Sequence, residues 1–211
     1  MPVMTKMYHV TGNHKYLDKL YEYIQFSDSI MYDYETGLYY RDAKYVYPKH
    51  KSANGKKDFW ARGDGWVLAG LAKVLKDLPE EYEHRQFFVD KFVKMAKAVA
   101  SIQQPEGYWT RSMMDPEHAP GPETSGTAFF TYGLLWGVNN GYLDEATYMP
   151  VVKKAWNYLK KTALQKDGRV GYVQPIGEKA IPGQIVNENS TANFGVGAFL
   201  LAACEYVRYL E

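Results

Sequence analysis

The sequence predicts an all-α fold in which helical hairpins stack into an α/α toroid. Two observations predict it: apolar residues recur at helical spacing in six segments, and three similar loops recur along the chain. Helical hairpins cannot bury their apolar faces alone, so neighbouring units must stack. A plain helical solenoid is the alternative architecture. The 211 residues suffice for one core, and we expect a single domain over residues 1–211.

The six helical segments differ in how far their apolar residues extend around the helix. The first spans residues 13–28, with Asn13 as a candidate N-cap. The segment 124–138 is small or aromatic on every side, so it should be buried all round. The other predicted helices span residues 65–78, which stops before a proline, 87–102, 149–164 and 192–210.

Three loops between these helices share one pattern, an acidic residue and a glycine followed by an extended aromatic segment. They occupy residues 34–42, 106–111 and 167–173, and their glycines lie 70 and 61 residues apart. The acidic residue and glycine predict a tight turn, and the residues after them are strand-like. In a toroid these loops would emerge at the same end, where their side chains would converge on one cleft.

The composition argues against several classes of function. The 25 basic and 24 acidic residues give a net charge of +1, so no excess of charge indicates binding to nucleic acid or to a membrane surface. No apolar run approaches the roughly 20 residues of a membrane span. The five histidines are isolated from one another and from the single cysteine, so no metal-ligand spacing is present, and we expect no cofactor.

Two features of the chain ends lead to further expectations. Cys204 lies in the apolar run 199–204, and we expect it to be a buried small hydrophobe that forms no disulfide. The first residues lack the basic-then-apolar order of a signal peptide, which favours a cytoplasmic location.

Aromatic residues make up 16% of the chain, and this abundance suits a sugar-binding protein. Aromatic rings cover the apolar faces of sugars, and tyrosine and tryptophan also supply hydrogen-bonding groups. We expect about two thirds of these rings to lie in the core and the rest to line a cleft.

The most distinctive run, residues 59–66, holds two tryptophans and an arginine at the expected start of a helix. Its glycines would let the backbone turn tightly into that helix. Trp60, Arg62 and Trp66 suit an anionic sugar, although a capped helix with packed tryptophans explains them equally well. The glycine spacing does not match a dinucleotide-binding motif.

A second run, residues 122–128, consists mostly of small residues. Glu123 or Thr124 could cap a helix there, and small side chains would let another backbone or a ligand approach closely. Ser125 is not expected to be a nucleophile, because no histidine lies at a recognisable spacing and no nucleophile-elbow pattern surrounds it.

Five separated motifs, taken in order, resemble glycoside hydrolase family 105, the unsaturated rhamnogalacturonyl hydrolases, which are related to the unsaturated glucuronyl hydrolases of family 88. The resemblance runs across essentially the whole chain. The motifs occupy residues 37–42, 54–67, 123–127, 171–177 and 195–202.

The resemblance implies an (α/α)6 barrel, of which this chain would supply about seven of twelve helices. It also implies a substrate from pectin-type polymers with a Δ4,5-unsaturated uronic acid at its non-reducing end. Such enzymes hydrate the C4–C5 double bond: one carboxyl group protonates C4 and then activates water for C5. The resulting hemiketal opens and the glycosidic bond breaks. That chemistry asks for a partly desolvated carboxyl group.

Site residues follow from the same resemblance. Asp42 matches the acid/base position, although it could instead be a surface carboxylate paired with Arg41 or Lys44. Trp109 and Arg111 match residues that face the sugar and its carboxylate. The remaining candidates for substrate binding are Tyr40, Trp60, Arg62 and Trp66.

The chain departs from the family pattern in two ways. Relatives commonly carry asparagine where this chain has Asp64, whose charge would repel an anionic substrate unless it is paired with Arg62 or used at the helix start. The chain is also short, and the family's second catalytic aspartate is expected on an earlier helix. It could be a fragment of a full enzyme, a chain that associates with itself or a second chain to cover exposed faces, or a remnant that at most binds oligosaccharide.

Overall fold

The protein consists of helices joined by long loops, as a computed structural model of residues 1–211 shows. Its only regular sheet is a hairpin of two short strands, β1 (Tyr32–Asp33) and β2 (Leu38–Tyr39). The prediction of an all-α fold is therefore confirmed. The seven helices are α1 (Pro2–Thr11), α2 (Lys15–Met31), α3 (Ala61–Asp77), α4 (Arg85–Ser101), α5 (Thr124–Asn139), α6 (Glu145–Tyr158) and α7 (Asn193–Leu210), with a π-helical turn (Leu159–Ala163) after α6.

Helix α1 was not among the predicted helices. Pro2 occupies its first turn, where the missing N–H would have no helical partner, and Gly12 ends it with a left-handed φ of 66°. The other helices correspond to the six predicted segments. Helix α6 begins four residues early because the Asp144 carboxylate accepts the Thr147 N–H at 2.8 Å and caps it.

The helices form two layers. Helices α1, α3, α5 and α7 lie side by side in one row, each in contact with the next. In the other layer α2 packs on α1, α4 on α3 and α5, and α6 on α5. This is the stacking of hairpins that the repeat predicts. Closure of the rows into a toroid stays a prediction.

Helix α5 is the centre of the molecule. Every residue from Thr124 to Gly137 is buried, so the prediction of a helix buried all round is confirmed. Its small residues allow close approach to α3: a Cβ on Gly126 would lie 2.8 Å from the Ala61 backbone carbon, and one on Gly65 would lie 3.0 Å from the Phe129 Cβ. Both glycines of the run 59–66 therefore lie inside α3 and form no turn before it, and Gly65 allows the close approach of α5.

The expectation that Cys204 is buried is wrong, because its side chain is exposed. Helix α7 packs through Gly195, Ala198, Phe199, Ala202 and Glu205, and Cys204 projects from a different side of the helix. Several exposed apolar side chains lie on the helices at the two ends of the row, α1 and α7, and on α2 beside it: Val3, Val10, Tyr23, Phe26, Leu200, Val207 and Leu210. No helix is both long and apolar enough to span a bilayer.

Candidate active site

The three recurring loops meet at the amino-terminal ends of α3, α5 and α7. Their turn glycines, Gly37, Gly107 and Gly168, have φ values of 79°, 97° and 86°, in the left-handed region that glycine adopts without strain. The first loop reaches α3 where the Tyr39 N–H donates to the Asp64 carboxyl group at 2.9 Å. The second accepts the Ala61 N–H of α3 at the Arg111 carbonyl at 3.1 Å. The third accepts the Thr124 N–H of α5 at the Tyr172 carbonyl at 3.0 Å. The loops therefore lie at one end of the molecule, as predicted, whereas convergence of all three on one cleft stays a prediction.

Glu123 is the N-cap of α5 and lies where the third loop meets that helix. Its buried carboxylate accepts the Gly126 N–H at 2.6 Å, the Ser125 hydroxyl at 2.7 Å and the Gln174 N–H at 3.1 Å. Of the two candidate caps, Glu123 is thus the one used. The helix dipole and these donors stabilise its negative charge away from solvent. Its bond from the Gln174 N–H holds the third loop on α5.

Arg62 is buried and fully engaged. Its guanidinium donates to the carbonyls of Gln174 at 2.5 Å and Pro175 at 2.8 Å. The rings of Trp60 and Phe194 lie on it, each with its centroid 4.5 Å away. Burial lowers the pKa of Arg62. Both terminal nitrogens of Arg62 donate to backbone carbonyls, and aromatic rings cover the guanidinium. Arg62 therefore fixes the loop that begins at Gln174 and presents no free surface to an anion.

Trp109 and Arg111 are likewise buried. The Trp109 ring is fully inaccessible, and its indole N–H donates to the Val99 carbonyl at 2.9 Å. The Arg111 guanidinium donates to the carbonyls of Gln184 at 2.8 Å and Pro120 at 2.5 Å. The structure therefore places Trp109 in the core and Arg111 among backbone acceptors, and neither reaches an open surface where it would face a sugar.

The remaining aromatic candidates lie at two cavities. Tyr40 stacks on Phe59 with ring centroids 4.6 Å apart, and its hydroxyl donates to the Asp33 carboxylate at 2.9 Å. Trp60 donates from its indole to the Gln174 side chain at 2.8 Å, and both Tyr40 and Trp60 border the first cavity. Trp66 is half-exposed, packs on Phe129 and borders a separate cavity.

The first cavity has a volume of about 200 Å³ and lies between α2, the strand β2 and the start of α3. That is smaller than the roughly 300–1,000 Å³ of drug-sized sites, so it suits a single sugar ring. One charged side chain, Arg41, borders it, and no carboxylate does. The lining residues are Met1, Ile24, Ser27, Met31, Tyr39, Tyr40, Arg41, Trp60, Gly63 and Val67.

Asp42 does not line this cavity but follows Arg41, which does, and pairs with it. Arg41 also lies 3.5 Å from the Glu178 carboxylate. The Lys44 backbone N–H donates to Asp42 at 2.7 Å. Desolvation acts to raise the pKa of Asp42, but the Lys44 N–H and the Arg41 guanidinium outweigh it, and the pKa is lowered. The pairing with Arg41 in the alternative interpretation is therefore present, whereas Lys44 contacts Asp42 through its backbone N–H and not through its ammonium group.

Asp64 lies in the first turn of α3 and is inaccessible to solvent. One carboxyl oxygen accepts the Tyr39 N–H at 2.9 Å and the other has no partner. Burial raises the pKa of Asp64 well above its ordinary value, which favours the neutral form. Asp64 is not paired with Arg62, and its burial and raised pKa both act against the repulsion of an anionic substrate.

A second polar cluster lies behind the loops. The Asp58 carboxylate accepts the Ser112 hydroxyl at 2.6 Å and lies 2.9 Å from the His50 Nε2. A serine nucleophile needs the imidazole between the hydroxyl and the carboxylate, whereas here the carboxylate is in the middle. His118 accepts the Ala53 N–H through its Nδ1. This cluster ties the loops together, and the structure holds no group of three His, Cys, Asp or Glu arranged to bind a metal.

The sequence reasoning missed two residues at the accessible part of the site. Arg41 was considered only as a partner for Asp42, although an arginine directly before the proposed acid was a usable signal. Glu178 stands in a loop without a recognisable motif, and its proximity to Arg41 depends on a contact 137 positions along the chain. No local pattern could have identified it.

The comparisons with known proteins agree with this architecture. The family model described as Glycosyl Hydrolase Family 88 matches residues 1–210. An unsaturated 3S-rhamnoglycuronyl hydrolase of Formosa agariphila is 41% identical over all of this chain and 56% of its own length. An enzyme of the same name from Alteromonas sp. is 39% identical over 96% of this chain and 47% of its own. The chain thus spans about half the length of these curated relatives.

Solved structures show the same relationship. A glycosyl hydrolase family 88 protein from Bacteroides vulgatus is 67% identical, with a TM-score of 0.96 over 99% of this chain and 60% of that one. A protein named as a polysaccharide lyase is 76% identical, also with a TM-score of 0.96, over 99% of this chain and 59% of that one. A possible family 105 member from Salmonella enterica, 24% identical with a TM-score of 0.81 over 99% of this chain and 54% of that one, shares the fold.

Proposed function

Because the chain belongs to glycosyl hydrolase family 88, we propose that it acts in the hydrolysis of unsaturated uronyl oligosaccharides. The observation that carries this proposal is the cavity, which is sized for one sugar ring, lined by Tyr39, Tyr40 and Trp60, and bordered by one arginine. Aromatic walls suit the apolar face of a sugar, and an arginine suits a uronate. Membership of family 105 in particular is also proposed, on the motifs and the shared fold.

The substrate that we propose is an oligosaccharide in which an unsaturated uronic acid is linked to rhamnose. Two relatives are named as rhamnoglycuronyl hydrolases. Pectin-type polymers, which the motifs indicated, are one source of such linkages. The name of the relatives supports the uronyl–rhamnose unit more directly than it supports any one polymer.

In the proposed reaction Asp42 is the acid and then the base. Its protonated carboxyl group gives a proton to C4 of the unsaturated ring. The carboxylate then takes a proton from water as the water oxygen bonds to C5, which restores the acid. The hemiketal opens to a ketone by breaking the bond between C5 and the ring oxygen, which leaves a hemiacetal at C1. That hemiacetal breaks down to an aldehyde and releases the sugar on the reducing side. The carboxyl group must be protonated at the first step, which the ion pair with Arg41 opposes in the free chain.

The test is the ultraviolet absorbance of the conjugated double bond of an unsaturated glucuronyl-rhamnose disaccharide incubated with this chain. Absorbance should fall with the wild-type chain, and Asp42→Asn should abolish nearly all of that fall while leaving binding largely intact. The matched control is Asp90→Asn, an exposed carboxylate on α4 that does not line the cavity. Unchanged turnover in Asp42→Asn would remove Asp42 from its role.

A second candidate function is oligosaccharide binding without turnover. The ion pair of Asp42 favours it, as does the absence of any carboxylate from the cavity wall. This candidate predicts binding of the disaccharide by calorimetry with no loss of absorbance. An absorbance rise on an intact uronate polymer would instead indicate lyase chemistry, because a lyase creates the double bond that a hydrolase of this kind removes.

A further inference from the structure

Four arginines stand at the loop end of the molecule, and only Arg41 borders the cavity. Arg169 is exposed, pairs with Asp167 in its own loop and does not line the cavity. Arg62 and Arg111 are almost completely buried, and both terminal nitrogens of each donate to backbone carbonyls. An anion could reach them only by breaking these bonds, which would leave buried carbonyl groups unpaired. The Arg41 side chain is 40% exposed and borders the cavity.

The contacts of Arg41 are ones that an anion can replace. Its partners are the carboxylates of Asp42 and Glu178, whose side chains are 27% and 52% exposed. The Glu178 oxygen lies 3.5 Å from the Arg41 nitrogen, which is longer than a direct charge-assisted hydrogen bond. Exposed ion pairs of this kind contribute little, so displacing Glu178 costs little.

The position of Glu178 in its loop is consistent with displacement. The loop is fixed at both ends: the Gln174 N–H donates to Glu123 and the Gln184 carbonyl accepts from Arg111. Between these anchors the residues 175–179 are exposed, with Ile176 at 90% exposure. Glu178 can therefore leave Arg41 without disturbing the buried contacts that hold the loop on α5.

We propose that Arg41 is the residue that binds the carboxylate of the uronyl ring, and that Glu178 is its counter-ion in the free protein and is displaced by the substrate. This inference rests on the proposed function for its choice of ligand. The planar guanidinium can donate two parallel hydrogen bonds to a carboxylate, which an ammonium cannot. The carboxylate of the ring would then lie next to Asp42, so binding also positions the substrate beside the proposed acid.

The test compares the affinity of this chain for two probes, the unsaturated glucuronyl-rhamnose disaccharide and its uronate methyl ester, by isothermal titration calorimetry. The acid should bind about ten- to a hundredfold more tightly than the ester. Arg41→Gln should abolish that preference by weakening only the acid, and Lys49→Gln, an exposed cation in the same loop, should leave it intact. Glu178→Gln should tighten binding of the acid roughly two- to fivefold, whereas Glu188→Gln should not.

The results that would overturn the proposal are equal affinities of the wild-type chain for acid and ester, no binding of either probe, or an unchanged preference in Arg41→Gln. A weakened acid complex in Glu178→Gln would refute the role of Glu178. Circular dichroism of each variant checks that it is folded, and binding of the ester serves as a second check for Arg41→Gln. Failure of the proposed function would appear separately, as an absence of double-bond loss in a chain that still prefers the acid.

Discussion

We predict that Asp64→Asn stabilises the fold, and that the gain increases with pH. The Asp64 carboxyl group is inaccessible, accepts one hydrogen bond from the Tyr39 N–H and leaves its second oxygen without a partner. Burial raises its pKa well above the ordinary value. The folded chain therefore holds a proton on Asp64 that the unfolded chain releases as the pH rises. Asparagine keeps the acceptor for Tyr39 and does not titrate.

The sign and size of the stability difference between Asp64→Asn and the wild type follow from proton linkage. Below the unfolded pKa, about 3.9, both states are protonated and Asp64 contributes a constant amount. Between that value and the raised folded pKa, the unfolded state binds fewer protons, so the contribution of Asp64 to the free energy of unfolding falls by about 1.4 kcal/mol per pH unit. Above the folded pKa it is constant again. The advantage of the variant should grow at that rate and then level off.

The assay is urea denaturation followed by tryptophan fluorescence, for the wild-type chain and Asp64→Asn, from acidic to mildly alkaline pH. The exposed Asp90→Asn on α4 is the control, and it should give a curve parallel to that of the wild type. If the Asp64→Asn curve also runs parallel to the wild-type curve, Asp64 is not protonated in the folded state. That result would refute the account of its burial.

Two further predictions concern the glycine turns and the cap of α5. Gly107→Ala should lower the free energy of unfolding by more than Gly168→Ala does in the same urea assay. Both glycines have a left-handed φ, so both substitutions introduce backbone strain. Only at Gly107 would the new Cβ also meet a backbone oxygen, that of Lys154, at 2.3 Å. Equal losses would show that the contact relaxes. Glu123→Gln should lower the free energy of unfolding by about 3 kcal/mol, because its amide group would point a donor at backbone donors such as the Gly126 N–H. A decrease of less than about 1 kcal/mol would contradict this prediction.

Features that depend on local pattern were predictable. The run 124–138 has no polar face, and it is a helix buried on all sides. The turn glycines have the left-handed conformations that the acidic–Gly pattern requires. The periods of 70 and 61 residues indicated loops at one end, and there each loop is hydrogen-bonded to the first turn of α3 or α5. In each case the signal lies within one segment or in its repetition.

Features that depend on distant acceptors were not predictable. Arg62 lies in a run whose residue types suit an anion-binding site, yet its guanidinium donates to carbonyls 112 and 113 positions later in the chain. Trp109 stands in an exposed-looking loop motif, but its indole finds the Val99 carbonyl and its ring fills the core. Burial of a long polar side chain depends on which backbone groups lie near it, and that is a property of the assembled fold.

The segment 174–184 has a consequence for how the molecule is made. Trp60, Arg62 and Arg111 all donate to acceptors in it, although they belong to earlier parts of the chain. During synthesis these donors leave the ribosome long before their acceptors do. The contacts of these three side chains are therefore expected to form only once segment 174–184 has emerged, after α3 and α5. Until then the guanidinium of Arg62 remains hydrated, which delays the burial of the Trp60 ring against it.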